Sequence, residues 1–227
     1  MFFWDWTYFL ILPGLFLGLW AQHRVRSTYQ QYSRVSTRLG QPANMVVEEL
    51  LQRNGNAAVR VGQVAGQLTD HYDPRSETLK LSEGVYGSAS VAALGIAAHE
   101  AGHAMQKKDG YAPLRLRSAI VPAVNLCSML STPLFFIGLL FALEPLTTIG
   151  IVLFAASTVF ALVTLPVEFN ASRRAIRMLT SGGYVTHQEE QGVRAVLNAA
   201  ALTYVAAAVT SLMSLLRLVL IANRRRR

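Results

Sequence analysis

The sequence predicts a mainly α-helical, polytopic membrane protein with about four transmembrane helices and one small α+β domain. Of its 227 residues, 52% are hydrophobic and 15% are charged. This composition is too apolar for an ordinary soluble domain of that size and too sparsely charged for a disordered chain. Three long stretches, 118–143, 145–167 and 195–216, carry no charged residue. Each stretch is long enough to cross about 30 Å of hydrocarbon as a helix.

The N-terminal stretch 6–22 is interpreted as the fourth membrane helix. It is shorter than the other three but rich in Leu, Phe and Trp, and Trp4 and Trp6 are candidate interfacial anchors. A cleaved signal peptide is disfavoured, because Asp5 is the only charge ahead of the stretch and no Ala-x-Ala site follows it. Cys127 is the single cysteine, so an intrachain disulfide is excluded.

A polar segment follows the first apolar stretch and carries short elements of both kinds. Apolar residues at helical spacing predict a helix over 43–53, ended by Asn54-Gly55. Alternation predicts short strands at 59–61 and 78–82, and 70–75 is interpreted as a turn or loop. These elements form the predicted α+β domain.

The second strand is followed by a His-Glu-x-x-His motif at His99, Glu100 and His103. On a helix the two imidazoles leave the same face about one turn apart, which suits two ligands of one zinc ion. Glu100 would then be placed to take a proton from an attacking water. Ala101 and Gly102 between the histidines leave room for a second helix to pack closely. The alternative is a core helix with two hydrogen-bonded histidines and a salt-bridged glutamate.

Glu168 is the best candidate for a third zinc ligand. It follows a long apolar run, where an unpaired carboxylate is costly unless a cation meets it. Arg173 or Arg174 is the alternative partner for this carboxylate. His71 and His187, both in polar sequence, are competing third ligands.

Together these motifs resemble the neutral zinc metallopeptidases of the YugP-like membrane family and, more broadly, the HtpX-type membrane gluzincins. The resemblance covers all but the two termini. It rests on His99-Glu100-Ala101-Gly102-His103, Pro166-Val167-Glu168-Phe169, Leu68-Thr69-Asp70-His71-Tyr72-Asp73-Pro74, Leu79-Lys80-Leu81-Ser82, Gly110-Tyr111-Ala112-Pro113-Leu114-Arg115, and Leu197-Asn198-Ala199-Ala200-Ala201-Leu202-Thr203-Tyr204-Val205.

The resemblance implies a zincin-like catalytic domain, a single Zn²⁺ held by His99, His103 and Glu168, and Glu100 as general base. Ser172 departs from the wider gluzincin pattern, which places an Asp there to orient a metal-bound histidine. The expected segments are an N-terminal transmembrane helix (1–22), a catalytic segment (23–117), a transmembrane hairpin (118–167), a third-ligand helix with a connector (168–195), and a C-terminal transmembrane helix with a basic tail (196–227).

Further residues are candidates for binding substrate or stabilising the oxyanion. In gluzincins a strand ahead of the catalytic helix commonly forms an edge along which substrate lies, which would be Leu79, Lys80, Leu81 and Ser82 here. An internal hairpin without a ligand is the alternative. The oxyanion donor is left open among Tyr204, His187, His71 and Arg173.

The net charge of +8 is placed beside apolar segments, which favours a lipid bilayer over nucleic acid as the partner. The positive-inside rule predicts a cytoplasmic catalytic side in the cell membrane, although four terminal arginines argue against it. The predicted function is zinc-dependent cleavage of membrane or membrane-proximal proteins, with quality control suggested by analogy to HtpX-type enzymes. A non-catalytic, zinc-stapled scaffold and a transporter are the alternatives; the oligomeric state is not predicted.

Overall fold

The computed structural model describes residues 6–225, so the predicted anchor Trp4 and the last two arginines of the basic tail lie outside the described residues. The chain divides into two compact units. We call residues 1–22, 115–166 and 202–227 the helical unit, and residues 23–114 and 167–201 the mixed unit.

Helices account for most of the described chain, which confirms the mainly α prediction. A 3-10 helix at Trp6–Leu10 is followed by α1 (Leu12–Tyr32), α2 (Ala43–Arg53), α3 (Glu83–Tyr86), α4 (Val91–Lys108), α5 (Ala112–Leu140), α6 (Glu144–Ser181) and α7 (His187–Arg225). Helix α2 has the predicted bounds, and α4 contains the His-Glu-x-x-His motif. The predicted segment boundaries at 167/168 and 195/196 fall within α6 and α7, and the five-segment division stays a prediction.

Within the described residues three helices, not four, are long and apolar enough to cross a membrane, namely α5, α6 and α7. The prediction of a fourth is wrong for a physical reason. Helix α1 begins only at Leu12, and its sequence turns polar at Gln22 and His23. The apolar part of α1 is therefore about 15 Å long, half the hydrocarbon thickness.

In the helical unit, α5 and α6 pack through small residues on either side of the short connection between them. A Cβ added to Gly138 would lie 2.4 Å from the backbone N of Thr147, and one added to Gly150 would lie 2.6 Å from the backbone N of Phe135. Small residues at such positions let helices approach closely where no hydrophobic force draws them together.

The mixed unit contains a three-stranded sheet in the order β1-β3-β2. Strand β1 (Arg60–Val64) runs parallel to β3 (Thr78–Ser82), and β2 (His71–Asp73) runs antiparallel to it. The segment 70–75, predicted as a turn or loop, thus contains a strand. The bounds of β3 are as predicted.

The prediction that Leu79, Lys80, Leu81 and Ser82 form a free substrate edge is wrong, because these residues belong to the central strand. Strand β1 pairs with β3 from Thr78 to Ser82 on one side, and β2 pairs with Thr78, Leu79 and Lys80 on the other. Backbone groups that already take part in a ladder cannot accept an added strand.

The core of the mixed unit lies between the sheet and helices α2, α3 and α4. Every helical turn of α2 contributes a buried residue, and Leu79 and Leu81 of β3 are fully buried opposite them. Residues of α4 and α6 complete this core, including Ala97, Ala101 and Ala175. Helix α4 is therefore buried along much of its length, and this packing fixes the direction in which its other side chains point.

Candidate metal centre

Helix α4 presents two histidines side by side. The helix begins after Ser90, whose Oγ accepts a hydrogen bond from the backbone N–H of Ala93 at 3.2 Å. The His99 and His103 rings are one turn apart, with centroids 4.8 Å apart and planes at 87°. Both side chains are largely buried, at 13% and 12% exposure. The buried N-terminal half of α4 thus carries the pair into the interior of the mixed unit.

Glu168 of α6 meets both histidines. Its Oε2 lies 3.2 Å from His99 Nε2 and 3.5 Å from His103 Nε2. The residue is only 2% exposed. Burial of a carboxylate is unfavourable without a positive partner, so this geometry calls for a cation among the three side chains.

Gly102 allows α4 and α6 to come this close. A Cβ at Gly102 would lie 2.5 Å from the carbonyl oxygen of Ala171 and 3.0 Å from its carbonyl carbon. Ala171 is one turn beyond Glu168 on α6. The close packing expected from a small residue between the histidines is therefore present, and it sets the distance between the two helices at the site.

The three side chains suit a zinc ion. Their ligand atoms all lie within 4.8 Å of one another. Two imidazole nitrogens and one carboxylate oxygen are ligands that zinc prefers, and tetrahedral zinc at 2.0–2.1 Å would hold neighbouring ligand atoms about 3.3 Å apart. The observed 3.2 and 3.5 Å match that spacing. Three protein ligands leave a fourth position for water or substrate, as in catalytic sites.

Gln106, which the sequence analysis missed, determines the orientation of His103. It is fully buried. Its Nε2 donates to the Val167 carbonyl at 2.7 Å and to Asn170 Oδ1 at 3.0 Å. Its Oε1 must then face His103 Nδ1, at 3.0 Å, and accept a hydrogen bond from the Nδ1–H group. With its Nδ1 protonated, His103 can bind a metal through Nε2, the nitrogen that faces Glu168, once Nε2 gives up its own proton.

The network continues from Asn170 to the C-terminal end of α4. Asn170 Oδ1 also accepts a hydrogen bond from Arg174 Nε at 2.8 Å, and Arg174 forms an ion pair with Asp109. Asp109 caps the C-terminus of α4. Gln106 follows His103 by three residues, a spacing that puts the two on one helix face and could have identified it from sequence.

His103 is also affected electrostatically. Burial alone would lower its pKa, but the hydrogen bond to Glu168 and the charges of Glu100 and Glu168 outweigh burial and raise the pKa above the usual histidine value. The two carboxylates near His103, Glu100 and Glu168, therefore favour a positive charge at this position.

His99 is held differently. Its Nδ1 lies 3.1 Å from Ser172 Oγ, so the residue at which the sequence departs from the gluzincin pattern does contact a histidine. A hydroxyl both donates and accepts, and it carries no charge. Ser172 therefore restrains the His99 tautomer less strictly than Gln106 restrains that of His103.

Glu100 follows His99 on α4 and is 9% exposed. In the part of the chain that the structure describes, its carboxylate forms no hydrogen bond or ion pair. A carboxylate in these surroundings retains its lone pairs for a proton from a reacting group.

The remaining candidates lie apart from this cluster or are not brought into it. His71 is exposed on β2, where its Nδ1 faces the Thr69 carbonyl at 2.8 Å, and His187 is exposed at the start of α7. Neither is in the metal-ligand cluster of the described residues. Arg173 is exposed and donates to the Phe169 carbonyl of its own helix at 3.4 Å. Tyr204 belongs to the helical unit.

Comparison with known proteins agrees with His99, His103 and Glu168 as zinc ligands. A family model described as "Putative neutral zinc metallopeptidase" matches residues 7–223. The chain belongs to this family. A relative of the chain, named "Putative membrane protease YugP", from Bacillus subtilis (strain 168), is 46% identical over 213 residues, covering 94% of this chain and 95% of the relative. No solved structure matches the chain.

Membership of the zinc metallopeptidase family confirms the resemblance stated from sequence. The expectation of one zinc ion is confirmed by the family together with the grouped ligand atoms of His99, His103 and Glu168. The name of the relative and the three apolar helices also agree with association of the protein with a membrane.

Proposed function

We propose that the protein is a membrane-embedded, gluzincin-type endopeptidase that hydrolyses peptide bonds of membrane or membrane-proximal proteins. The observation that carries the proposal is the convergence of His99 Nε2, His103 Nε2 and Glu168 Oε2, a cluster of three ligands rather than four among the described residues, with Glu100 next to His99 in the chain. The same convergence weighs against a non-catalytic scaffold, because purely structural zinc sites normally have four protein ligands.

In the proposed mechanism His99, His103 and Glu168 hold the zinc ion. Zinc in such a site lowers the pKa of water towards ~7 and polarises a carbonyl group. Glu100 accepts a proton from the water that attacks the scissile carbonyl and later passes it to the departing amine. Gln106 keeps the proton of His103 on Nδ1, so the Nε2 lone pair stays directed towards the metal.

The substrate backbone is proposed to lie along β2. Strands β1 and β2 are the two edges of the sheet, and of these it is β2 that packs against α4. Lys107 of α4 pairs with Glu77 in the β2–β3 turn at 2.7 Å, which fixes this edge relative to the catalytic helix. An extended peptide can add to such an edge through main-chain hydrogen bonds.

The catalytic side is proposed to be cytoplasmic. In the sequence, basic residues lie at the ends of α5 and α6 that adjoin the catalytic segment and Glu168, at Arg115, Arg117, Arg173, Arg174 and Arg177. The connection between α5 and α6 carries no Lys or Arg. This asymmetry is typical of cytoplasmic loops.

The test is cleavage of an unfolded soluble protein by the purified protein, with bound zinc measured in parallel. We expect Glu100→Gln to retain zinc and lose cleavage by at least about 10²-fold, the typical contribution of a general base. Glu83→Gln, an exposed glutamate of α3, is the matched control and should behave as wild type. If wild type and Glu100→Gln bind zinc and behave alike, the peptidase proposal is refuted and the scaffold is favoured.

A further inference from the structure

Arg217 is a charged residue inside the apolar part of α7. This helix is long and apolar enough to cross a membrane, and in the sequence the arginine lies between Leu215-Leu216 and the apolar run 218–222. A charged side chain at such a position is costly, and in membrane helices it is almost always paired or functional. The position of Arg217 therefore raises the question of which group neutralises its charge.

The structure gives the guanidinium group of Arg217 an aromatic neighbour but no anion. Its central carbon lies 4.0 Å from the centroid of the Tyr8 ring. Among the described residues no carboxylate pairs with Arg217, and its Nε is buried without a hydrogen-bond partner. A cation–π contact holds the planar group over the ring. It does not neutralise the charge, and the N–H groups at the edge of the plane remain able to donate.

Arg224, seven residues further along α7, has a similar neighbour. Its guanidinium carbon lies 5.1 Å from the centroid of the Trp6 ring. Seven residues are close to two helical turns, so both arginines lie on one face of α7, about 10 Å apart along its axis. The 3-10 helix that contains Trp6 and Tyr8 runs beside this face, and each of these rings contacts one arginine.

Close packing of α1 on α7 fixes the position of the two aromatic rings. A Cβ added to Gly14 would lie 2.6 Å from Thr210 Oγ1 and 2.8 Å from Thr210 Cα. Thr210 precedes Arg217 by seven residues and lies on the same face of α7. Because Gly14 follows Tyr8 in the chain, α1 and the 3-10 helix run antiparallel to α7 along this face. Backbone contact therefore holds the aromatic rings beside the arginines.

The exposed aromatic residues of the 3-10 helix indicate that this face lies at a membrane–water interface. Trp6, Tyr8 and Phe9 are all exposed. Tryptophan and tyrosine are enriched at the level of the lipid headgroups, and long arginine side chains near helix ends extend towards the same level. The anions at this level are lipid phosphate groups, which a guanidinium group binds through two parallel N–H···O bonds.

The helical unit itself supplies few anions. In the sequence, Asp5 and Glu144 are its only acidic residues, against seven arginines. A zwitterionic lipid brings a cation of its own to such a site, whereas an anionic lipid does not. Charge complementarity therefore favours a phospholipid with a net negative charge.

We propose that Arg217, Arg224, Tyr8 and Trp6 form a binding site for the headgroup of an anionic phospholipid. The lipid phosphate accepts hydrogen bonds from Arg217, whose guanidinium plane the Tyr8 ring holds in place. Arg224 supplies a second positive charge beside Trp6. This site does not depend on the proposed peptidase function. It also gives Arg224, one of the four terminal arginines that argue against a cytoplasmic catalytic side, a role other than setting the orientation of α7.

The test measures lipid binding to the delipidated, full-length protein in detergent. Phosphatidylglycerol and phosphatidylcholine with the same acyl chains are titrated separately, and bound lipid is counted by native mass spectrometry. We expect phosphatidylglycerol to bind the wild type about tenfold more tightly, because its charge is not offset by a cation. Phosphatidylglycerol should also raise the thermal midpoint more than phosphatidylcholine does, since a ligand that binds the folded state stabilises it.

Variants of the site separate its charge from its geometry. Arg217→Gln should weaken phosphatidylglycerol binding about tenfold, the effect of losing a charge-assisted hydrogen bond. Arg217→Lys keeps the charge but not the planar group and should recover only part of the affinity. Tyr8→Leu removes the ring and should weaken binding about threefold. Arg177→Gln, which changes an exposed arginine of the mixed unit, is the charge-matched control and should bind as the wild type does.

Zinc content shows whether each variant is folded, and all of them should retain zinc as the wild type does. Equal binding of the two lipids, or wild-type affinity in Arg217→Gln, would overturn the proposal. Displacement of phosphatidylglycerol by millimolar inorganic phosphate would also overturn it, because the ligand would then be a soluble anion. Asp5, outside the described residues, is the competing partner. If Asp5→Asn lowers the thermal midpoint of lipid-free protein as much as Arg217→Gln does, this carboxylate neutralises Arg217 and the lipid site is refuted.

Discussion

Replacement of Gly102 by alanine tests whether the separation of α4 and α6 controls the metal centre. The added Cβ would lie 2.5 Å from the Ala171 carbonyl oxygen, a distance at which real Cβ atoms are essentially never found. Both neighbouring groups are backbone, so no side chain can turn aside. The helices themselves must separate.

The size of that separation follows from the contact. Bringing the Cβ to 3.0 Å from the oxygen requires a shift of at least about 0.5 Å between closely packed helices. Metal–ligand distances are specified to within about 0.2 Å, and Glu168 is one turn from Ala171 on the shifted helix. We expect zinc affinity to fall by about 10- to 100-fold and overpacking to cost about 1–3 kcal/mol.

Zinc affinity is measured by competition with a chromophoric chelator, and stability by thermal unfolding of the apo and zinc-bound forms. Gly95→Ala is the matched control on the same helix, because its Cβ would meet Val193 Cγ1 at an ordinary 3.4 Å. That variant should bind zinc normally and gain about 0.5–1 kcal/mol. Wild-type zinc affinity in Gly102→Ala would refute the argument that this contact sets the site geometry.

Four further results are expected. Gln106→Met should lower zinc affinity about 10- to 100-fold in chelator competition, because the tautomer of the histidine it contacts is no longer fixed. Ser172→Asp should raise zinc affinity in the same assay, since a carboxylate makes His99 more basic. Zinc removal should lower the thermal midpoint, and added zinc should restore it. Burial, followed by interaction with Glu49, raises the pKa of Tyr184 to about 12. The pKa of Tyr184 in the folded state exceeds its value near 10 in the unfolded state. The stability that this difference contributes is fully present below pH 10 and should be lost as the pH rises towards 12. Urea unfolding at pH 9 and pH 11 measures this loss, which Tyr184→Phe should reduce.

The parts of the fold that the sequence predicted well are those with a local signal. Helix α2 has apolar residues at helical spacing, and β3 alternates, so the bounds of both follow from periodicity. The grouping of His99 and His103 follows from one helical turn. Glu168 is distant from both histidines in sequence. A carboxylate at the end of an apolar run needs a cation, however, and the chain has only five histidines that could bind a metal together with it.

The errors concern relations that no single segment encodes. Strand β2 consists of His-Tyr-Asp in a polar run, so nothing in its sequence shows that it covers one side of β3. Gln106 acquires its role only because α6 passes close enough to offer the Val167 carbonyl and Asn170. Sequence shows which side chain lies on a helix face but not which neighbour meets that face.

The contact of Ser172 with His99 is best understood beside the hydrogen-bond network that supports His103. His99 is supported by a neutral hydroxyl, while His103 is supported by Gln106, which Asn170, Arg174 and Asp109 hold in place. The carboxylate of Asp109, at the C-terminal end of α4, is therefore connected to the metal ligand His103 only through a chain of four side-chain contacts. A carboxylate that contacts a histidine directly makes the histidine a more basic, stronger ligand. In this arrangement the histidines lack that contact, and the network instead fixes the orientation of His103. Asp109→Asn should accordingly weaken zinc binding less than Gln106→Met does, because the amide of Gln106 keeps its contacts with Val167 and Asn170.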